Sequence, residues 1–323
     1  MKLLLCLRHR RKRKTAFKMA RMKLLVASAL FLFAVALPAQ TIAHAKGVAH
    51  TEQVDLSYET FGSTAGNALP VIAVNGGPGL SHVYMVQNDV WQRIARHRLV
   101  VLYDQRGTGA SKRVQPGAPQ SMDAQVADLE AVRQTLGLEK VALVGDSYGG
   151  LLSMAYAAAH PEHVAKLVLS DSPGPSWKEI VHVLPQVFPD IEEENAQEAK
   201  KLGDSTEAAA RAGLRNHFRM IFYSQEKRDR YMGQMGDLGY EPKVGEEVFK
   251  ATQSLDLTPQ LPGFKFPTLV ITGRFDMNVA PLTAWNLAHA IPGAKLVFFE
   301  QSGHLPSYEE PEKYVEVLEK FLN

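Results

Sequence analysis

Cysteine is nearly missing from this chain: one residue, Cys6, in 323. It lies in the basic N-terminal segment, so beyond residue 45 there is no disulfide, no thiol nucleophile and no cysteine-based metal site. Nothing reaches the roughly 20 apolar residues that a membrane-spanning helix needs; the apolar run from Leu24 to Leu37 has fourteen. Internal repeats and low-complexity tracts are absent, which excludes a solenoid or a disordered tail. No His/Asp/Glu cluster has metal-ligand spacing, so the sequence calls for no metal and no cofactor.

The first 45 residues stand apart. "KLLVASALFLFAVALPAQTIAHA" has a positive start, the apolar run, Pro38, and Ala43-His44-Ala45 in the small-x-small pattern of a cleavage site. That is the pattern of a secretory signal, and it predicts a periplasmic or secreted protein without stable membrane association once the signal is cleaved. The upstream "RHRRKRK" sits directly before the signal and reads as an extended n-region or a misassigned start rather than a nucleic-acid patch. Residues 1–45 hold ten Lys/Arg and no Asp/Glu, so the remaining chain has 26 basic and 34 acidic residues, a net charge of −8.

Beyond residue 45 the chain alternates strand-like and helix-like segments. "PVIAVN", "RLVVLYD", "KVALVGD", "KLVLSD", "PTLVITG" and "AKLVFFE" are continuous apolar runs, as expected of parallel strands buried on both faces. "SMDAQVADLEAVRQTLG" predicts a helix capped by Ser121 and stopped at Gly137. The repetition predicts an α/β, mostly parallel doubly wound sheet. Between about residues 173 and 261 the rhythm breaks into charged amphipathic stretches without a convincing strand. The expected organisation is a core of residues 46–172 and 262–323 carrying a helical cap of residues 173–261.

Three strand ends carry chemistry. "VALVGDSYGG" places Ser147 between Gly145 and Gly149, after a strand and before a helix, the setting of a nucleophile elbow. Asp276 follows "TLVIT" and His304 follows "KLVFFE". The chain order Ser, Asp, His is that of α/β-hydrolases. Asp171, after "KLVLS", is the competing acid, and Asp276 is preferred. His217 and His289 fall in predicted helices and His160 ends one, so all three read as packing or surface residues. "VIAVNGGPGLS" ends a strand in a glycine-rich loop, whose Gly77 N–H with that of Tyr148 would form an oxyanion hole.

"NGGPG", "DQRGTGAS", "GDSYGG", "GRFD" and "SGHLP" together resemble the proline iminopeptidase (prolyl aminopeptidase) family of serine peptidases, within the α/β-hydrolases. The resemblance covers residues 52–172 and 262 to the end. It implies Ser147 as nucleophile, His304 as base, Asp276 as acid, and a helical cap whose acidic groups bind the substrate's free amine. Glu192, Glu193, Glu194 and Glu198 are the cap's candidates, with Glu193 and Glu194 foremost, although "IEEENAQEAK" also reads as a solvated helix face. Arg106 and Asp104 read as structural. Asn75 departs from the family's usual His, and "GDSYGG" from its common "GGSWGS". The expected activity is release of N-terminal proline, or another small apolar residue, from short peptides. An esterase or amide hydrolase on a small non-peptide substrate would use the same triad; a binding protein that kept the fold would have no reason to keep it.

Overall fold

The computed structural model describes residues 42–64 and 68–323. The basic run, the apolar run and Pro38 of the expected signal lie outside them. Strands β1 (His44–His50), β2 (Asp55–Phe61), β3 (Val71–Val74), β4 (Val100–Tyr103), β5 (Val141–Asp146), β6 (Val164–Ser170), β7 (Thr268–Gly273) and β8 (Lys295–Phe299) form one sheet in the order β1-β2-β4-β3-β5-β6-β7-β8. β1 and β2 run antiparallel to their neighbours, and the ladders from β4 to β8 are parallel.

Each continuous apolar run is divided by the pleat between two cores. Ile72, Val74, Val101, Leu143, Leu167 and Leu169 enter one core, while Val71, Ala73, Val100, Ala142, Val144 and Val168 enter the other. Successive side chains of a strand point to opposite faces, so helices must cover both. The short helix α1 (Val90–Ile94) covers the second core with Trp91 and Ile94. Helices α2 (Met122–Thr135) and α3 (Tyr148–Ala159) cover the first. Ser121 caps α2 by accepting from the Ala124 N–H at 3.3 Å, and Gly137 at φ +64° ends it, as the sequence predicts.

From the end of β6 to the start of β7 the chain is helical. It builds α4 (Leu184–Val187), α5 (Pro189–Leu202), α6 (Glu207–Met220), α7 (Gln225–Gln234) and α8 (Pro242–Thr252) before returning to the sheet. Then α9 (Pro281–Ala290) covers the first core with Leu287, while α10 (Pro306–Glu309) and α11 (Pro311–Leu322) follow β8. Tyr314, Leu318 and Leu322 of α11 close the second core. Among the described residues no helix is long and apolar enough to cross a membrane.

One boundary moves. The expected break after Ala45 falls inside β1, whose ladder to β2 pairs His44 with Phe61 and Ala45 with Thr60. The His44 ring stacks on Phe61 at 4.5 Å and its Nε2 lies 2.9 Å from Glu59 Oε2. An edge strand of sequence "HAKGVAH" has little apolar pattern, and the backbone ladder rather than side-chain burial holds it.

Candidate active site

Ser147 occupies the turn between β5 and α3 with φ 50° and ψ −124°, a strained conformation for a residue with a side chain. Its N–H donates to the Ser170 carbonyl of β6 at 2.9 Å. The flanking glycines allow the turn to pack this tightly. A Cβ at Gly149 would stand 2.1 Å from the Val74 carbonyl oxygen, and one at Gly145 would stand 2.5 Å from that of Gly149. Both contacts are with backbone, which cannot step aside.

His304, from the loop after β8, brings Nε2 to 3.0 Å from Ser147 Oγ and Nδ1 to 2.7 Å from Asp276 Oδ2. Asp276 is fully buried beyond β7; its Oδ1 accepts the Asn278 and Val279 N–H groups at 2.9 Å each. Both nitrogens of the imidazole are therefore engaged, one by the acid and one by the serine. Burial pulls the His304 pKa down, but the Asp276 charge and hydrogen bond outweigh it and leave it raised. Asn278, which no sequence pattern had singled out, brings Nδ2 to 3.1 Å from the same Nε2 and competes with the serine O–H for its lone pair.

The competing acid does not face the imidazole through a hydrogen bond. Asp171, at φ 47°, accepts the Gly273 N–H at 2.8 Å and meets the Ser170 hydroxyl at 3.0 Å. Burial, then the neighbouring Asp276 carboxylate, push its carboxyl well above the ordinary range. Asp171, Asp276 and His304 offer ligand atoms within 4.8 Å of one another, but hydrogen bonds to neighbouring groups occupy the atoms concerned.

The glycine-rich loop after β3 packs against the elbow. Gly77, at φ 125°, and Tyr148 both line the cleft beside Ser147. Neither N–H is spent on a hydrogen bond to another described residue, which leaves both for an oxyanion. Asn75 is buried and donates to the Gly76 and Leu80 carbonyls at 3.1 and 2.8 Å, clasping the turn. Tyr84 adds a brace invisible in the sequence. Its hydroxyl takes the Gly76 N–H at 2.6 Å and donates to Asp146, the residue before the nucleophile. Burial raises the Asp146 pKa to about 6, against the lowering pull of His304 and Tyr84.

Arg106 and Asp104 are structural, as expected. Arg106 forms a buried two-pronged pair with Asp128 at 2.6 and 2.7 Å. Asp104 binds His82 Nδ1 at 2.7 Å, and His82 Nε2 reaches Glu59 at 2.8 Å.

Ser147 lies between two cavities. One, of about 330 Å³, is lined by His304, Leu305, Leu80, Leu214, Phe218 and Tyr240 among others. The other, of about 400 Å³, is lined by Tyr148, Trp177, Ile180, His182, Phe249 and Val279 among others. Gly77, Ser147, Asn278 and His217 border both. His217, expected from its helical setting to be a packing residue, thus belongs to the cleft: α6 hangs from the cap with this residue toward the nucleophile.

Glu193 and Glu194, the expected amine-binding residues, do not line either cavity. Both are exposed on α5; Glu193 accepts from Gln197 at 3.2 Å and Glu194 pairs with Arg219 at 2.7 Å. Only Ile191 of that helix is buried, so the acids take its solvent face. Among the described residues, the one carboxylate lining either cavity is Asp146, whose Oδ2 accepts the Tyr84 hydroxyl.

Cap and base are tied together. Fully buried Glu309 accepts the Tyr223, Ser224 and Gly303 N–H groups at 3.1, 2.8 and 2.7 Å. The His304 N–H donates to Ile221 at 2.8 Å, so the cap helps to set where the imidazole stands.

A parallel sheet whose strand ends present a serine on a strained elbow, an imidazole and a buried carboxylate defines a serine hydrolase. The family model described as alpha/beta hydrolase fold matches residues 70–311. A proline iminopeptidase from Clostridium botulinum is 31% identical over 286 residues, covering 83% of this chain and 96% of that protein. One from Heyndrickxia coagulans is 32% identical over 282 residues, covering 83% and 95%. The esterase RhEst1 from Rhodococcus shares the fold at a TM-score of 0.69, with 22% identity over 87% of this chain and 98% of that one. The chain belongs to the proline iminopeptidase family of the α/β-hydrolases.

Proposed function

We propose that the protein is an exported aminopeptidase that releases N-terminal proline, or another small apolar residue, from short peptides through an acyl-enzyme. The observation that carries the chemistry is the chain of hydrogen bonds from Asp276 through His304 to Ser147. His304, oriented by Asp276, takes the serine proton as Ser147 attacks the acyl carbon. The Gly77 and Tyr148 N–H groups receive the oxyanion, and His304 returns the proton to the leaving amine. Water then enters, loses a proton to His304 and releases the acyl group, regenerating the serine. The curated relatives supply the aminopeptidase part of the reading.

The expected result is hydrolysis of a proline chromogenic amide by the wild type, lost on N-acetylation of the substrate and in Ser147→Ala. Hydrolysis of a short-chain ester alone would remove the peptidase reading and leave the serine chemistry standing. One observation favours that second reading: among the described residues the one carboxylate lining the two cavities beside Ser147 is Asp146, which Tyr84 already engages. Export rests on the charge and apolar pattern of the first 45 residues. Cell fractionation with N-terminal sequencing of the mature protein tests it, and an intact N-terminus in the cytoplasmic fraction would overturn it.

A further inference from the structure

An aminopeptidase must recognise the amine of its substrate, and that amine sits on the carbon next to the carbonyl under attack. The group that binds it therefore stands over Ser147, where both cavities meet, and not on the outer face of α5. The proton that His304 hands on goes to the leaving group, so the cavity lined by His304 receives the leaving side. The cavity lined by Tyr148, Trp177 and Phe249 receives the acyl side. Apart from Ser147 itself, side chains bordering both are those of Asn278 and His217.

Most polar side chains of the cleft are already committed. Asn278 Nδ2 contacts His304, Trp177 Nε1 donates to Thr252 at 3.0 Å, Tyr84 is spent on Asp146 and Gly76, and His182 Nδ1 is 3.0 Å from the Asn278 carbonyl. His217 makes no hydrogen bond to any described residue; its ring meets only Phe218, edge-on at 6.3 Å. We propose that His217 is the substrate-binding residue of the cap that accepts a hydrogen bond from the α-amine of the N-terminal residue.

The electrostatics suit that role. Burial, then the positive fields of His304 and His182, push the His217 pKa down to about 4, so its ring stays uncharged and keeps a lone pair at neutral pH. A protonated ring there would repel an ammonium group. In a cleft whose one lining carboxylate is already engaged by Tyr84, the His217 imidazole and Asn278 Oδ1 are the acceptors that border both cavities, and only His217 comes from the cap.

This inference rests on the aminopeptidase reading, and the experiment separates the two. Prolyl 4-nitroanilide is compared with the 4-nitrophenyl ester of cyclopentanecarboxylic acid, which keeps the ring and lacks the amine. His217→Leu is expected to lower kcat/KM for the prolyl substrate roughly 10- to 100-fold, the range for a lost hydrogen bond to a charged group, mainly through KM. The ester should change less than about twofold, and His217→Gln, which keeps an acceptor, should recover part of the loss. Equal losses on both substrates, or none on the prolyl one, would overturn the inference with the aminopeptidase reading intact. A wild type that cleaves the ester and not the prolyl amide would sink both.

Discussion

Tyr84 and Asp146 form a hydrogen bond beneath the nucleophile, and the same tyrosine hydroxyl receives the Gly76 N–H of the glycine-rich loop at 2.6 Å. One phenol thus couples the elbow that presents Ser147 to the loop that presents Gly77. A Cβ at Gly76 would stand 2.8 Å from that of Ser147, so the two segments are already at contact distance. The relative position of Ser147 and Gly77 is tied to this bridge.

Tyr84→Phe tests it. The substitution leaves a buried carboxyl and a backbone N–H without partners, a cost of about 1–3 kcal/mol in unfolding free energy. It also frees the loop, and kcat is expected to fall roughly 10- to 100-fold with little change in KM. Unfolding in urea together with steady-state kinetics measures both. An unchanged kcat would mean that the loop holds its place without the tyrosine.

The acid assignment predicts a contrast between two neighbouring carboxyls. Asp276→Asn removes the acceptor that orients His304 and should lower kcat by about 10⁴-fold. Asp171→Asn replaces a carboxyl that makes no hydrogen bond to His304 by an amide of the same shape and should keep activity within roughly fivefold. The reverse order would move the acid to the end of β6.

The pH dependence of activity follows from His304. It accepts the serine proton only when neutral, so kcat/KM should fall as the pH drops through a pKa that Asp276 holds above the ordinary histidine value. The Asn278 N–H at Nε2 favours the neutral ring. Asn278→Ala should therefore move the acid limb of the profile to higher pH, and a shift the other way would contradict the donor role assigned to the amide.

His82 makes stability depend on pH in both directions. Burial pulls its pKa down, but the Asp104 and Glu59 hydrogen bonds raise it from 6.5 to about 9. That stabilisation is full below about pH 6.5 and is lost as the pH rises toward 9. Glu59, lowered from 4.5 to about 2 chiefly by its bond to His82, stabilises above pH 4.5 and loses this as the pH falls. Thermal unfolding should show the contribution at its fullest between about pH 4.5 and 6.5. His82→Leu takes one partner from each of two buried carboxylates, which keep His44 and backbone N–H groups, and should cost about 1–3 kcal/mol there and flatten the alkaline slope.

Glu309 gives a prediction about the cap. Glu309→Gln keeps the size but replaces one accepting oxygen by a donor facing backbone N–H groups, at a cost of about 2 kcal/mol. Because Gly303 and His304 hang from the same tie, activity should fall along with stability. Full activity in the variant would show that the base is positioned without the cap.

Much of the site was legible because its constraints are local. Gly145 is required by contacts within the elbow itself, and continuous apolar runs mark strands buried on both faces. Asp276 and His304 could be found because each stands just past such a run. Tyr84, Asn278 and Glu309 were not legible, since each acts on a backbone group or ring far from it in sequence and no local pattern announces that. Glu193 and Glu194 misled for the complementary reason: acids on an amphipathic helix look alike whether the helix turns them to substrate or to water.

The sequence by itself determined the doubly wound sheet, the helical character of the segment between β6 and β7, and the order in which serine, acid and base arrive at the strand ends. Strand and helix periodicity and turn chemistry are short-range properties, and these features follow from them. Only the tertiary structure decided that Asp276 rather than Asp171 meets the imidazole, that His217 lines the cleft beside Ser147, and that the cleft walls, among the described residues, carry no carboxylate but Asp146. Those depend on how the cap helices pack and how neighbouring strand ends align, and packing is set by contacts between residues that lie far apart along the chain.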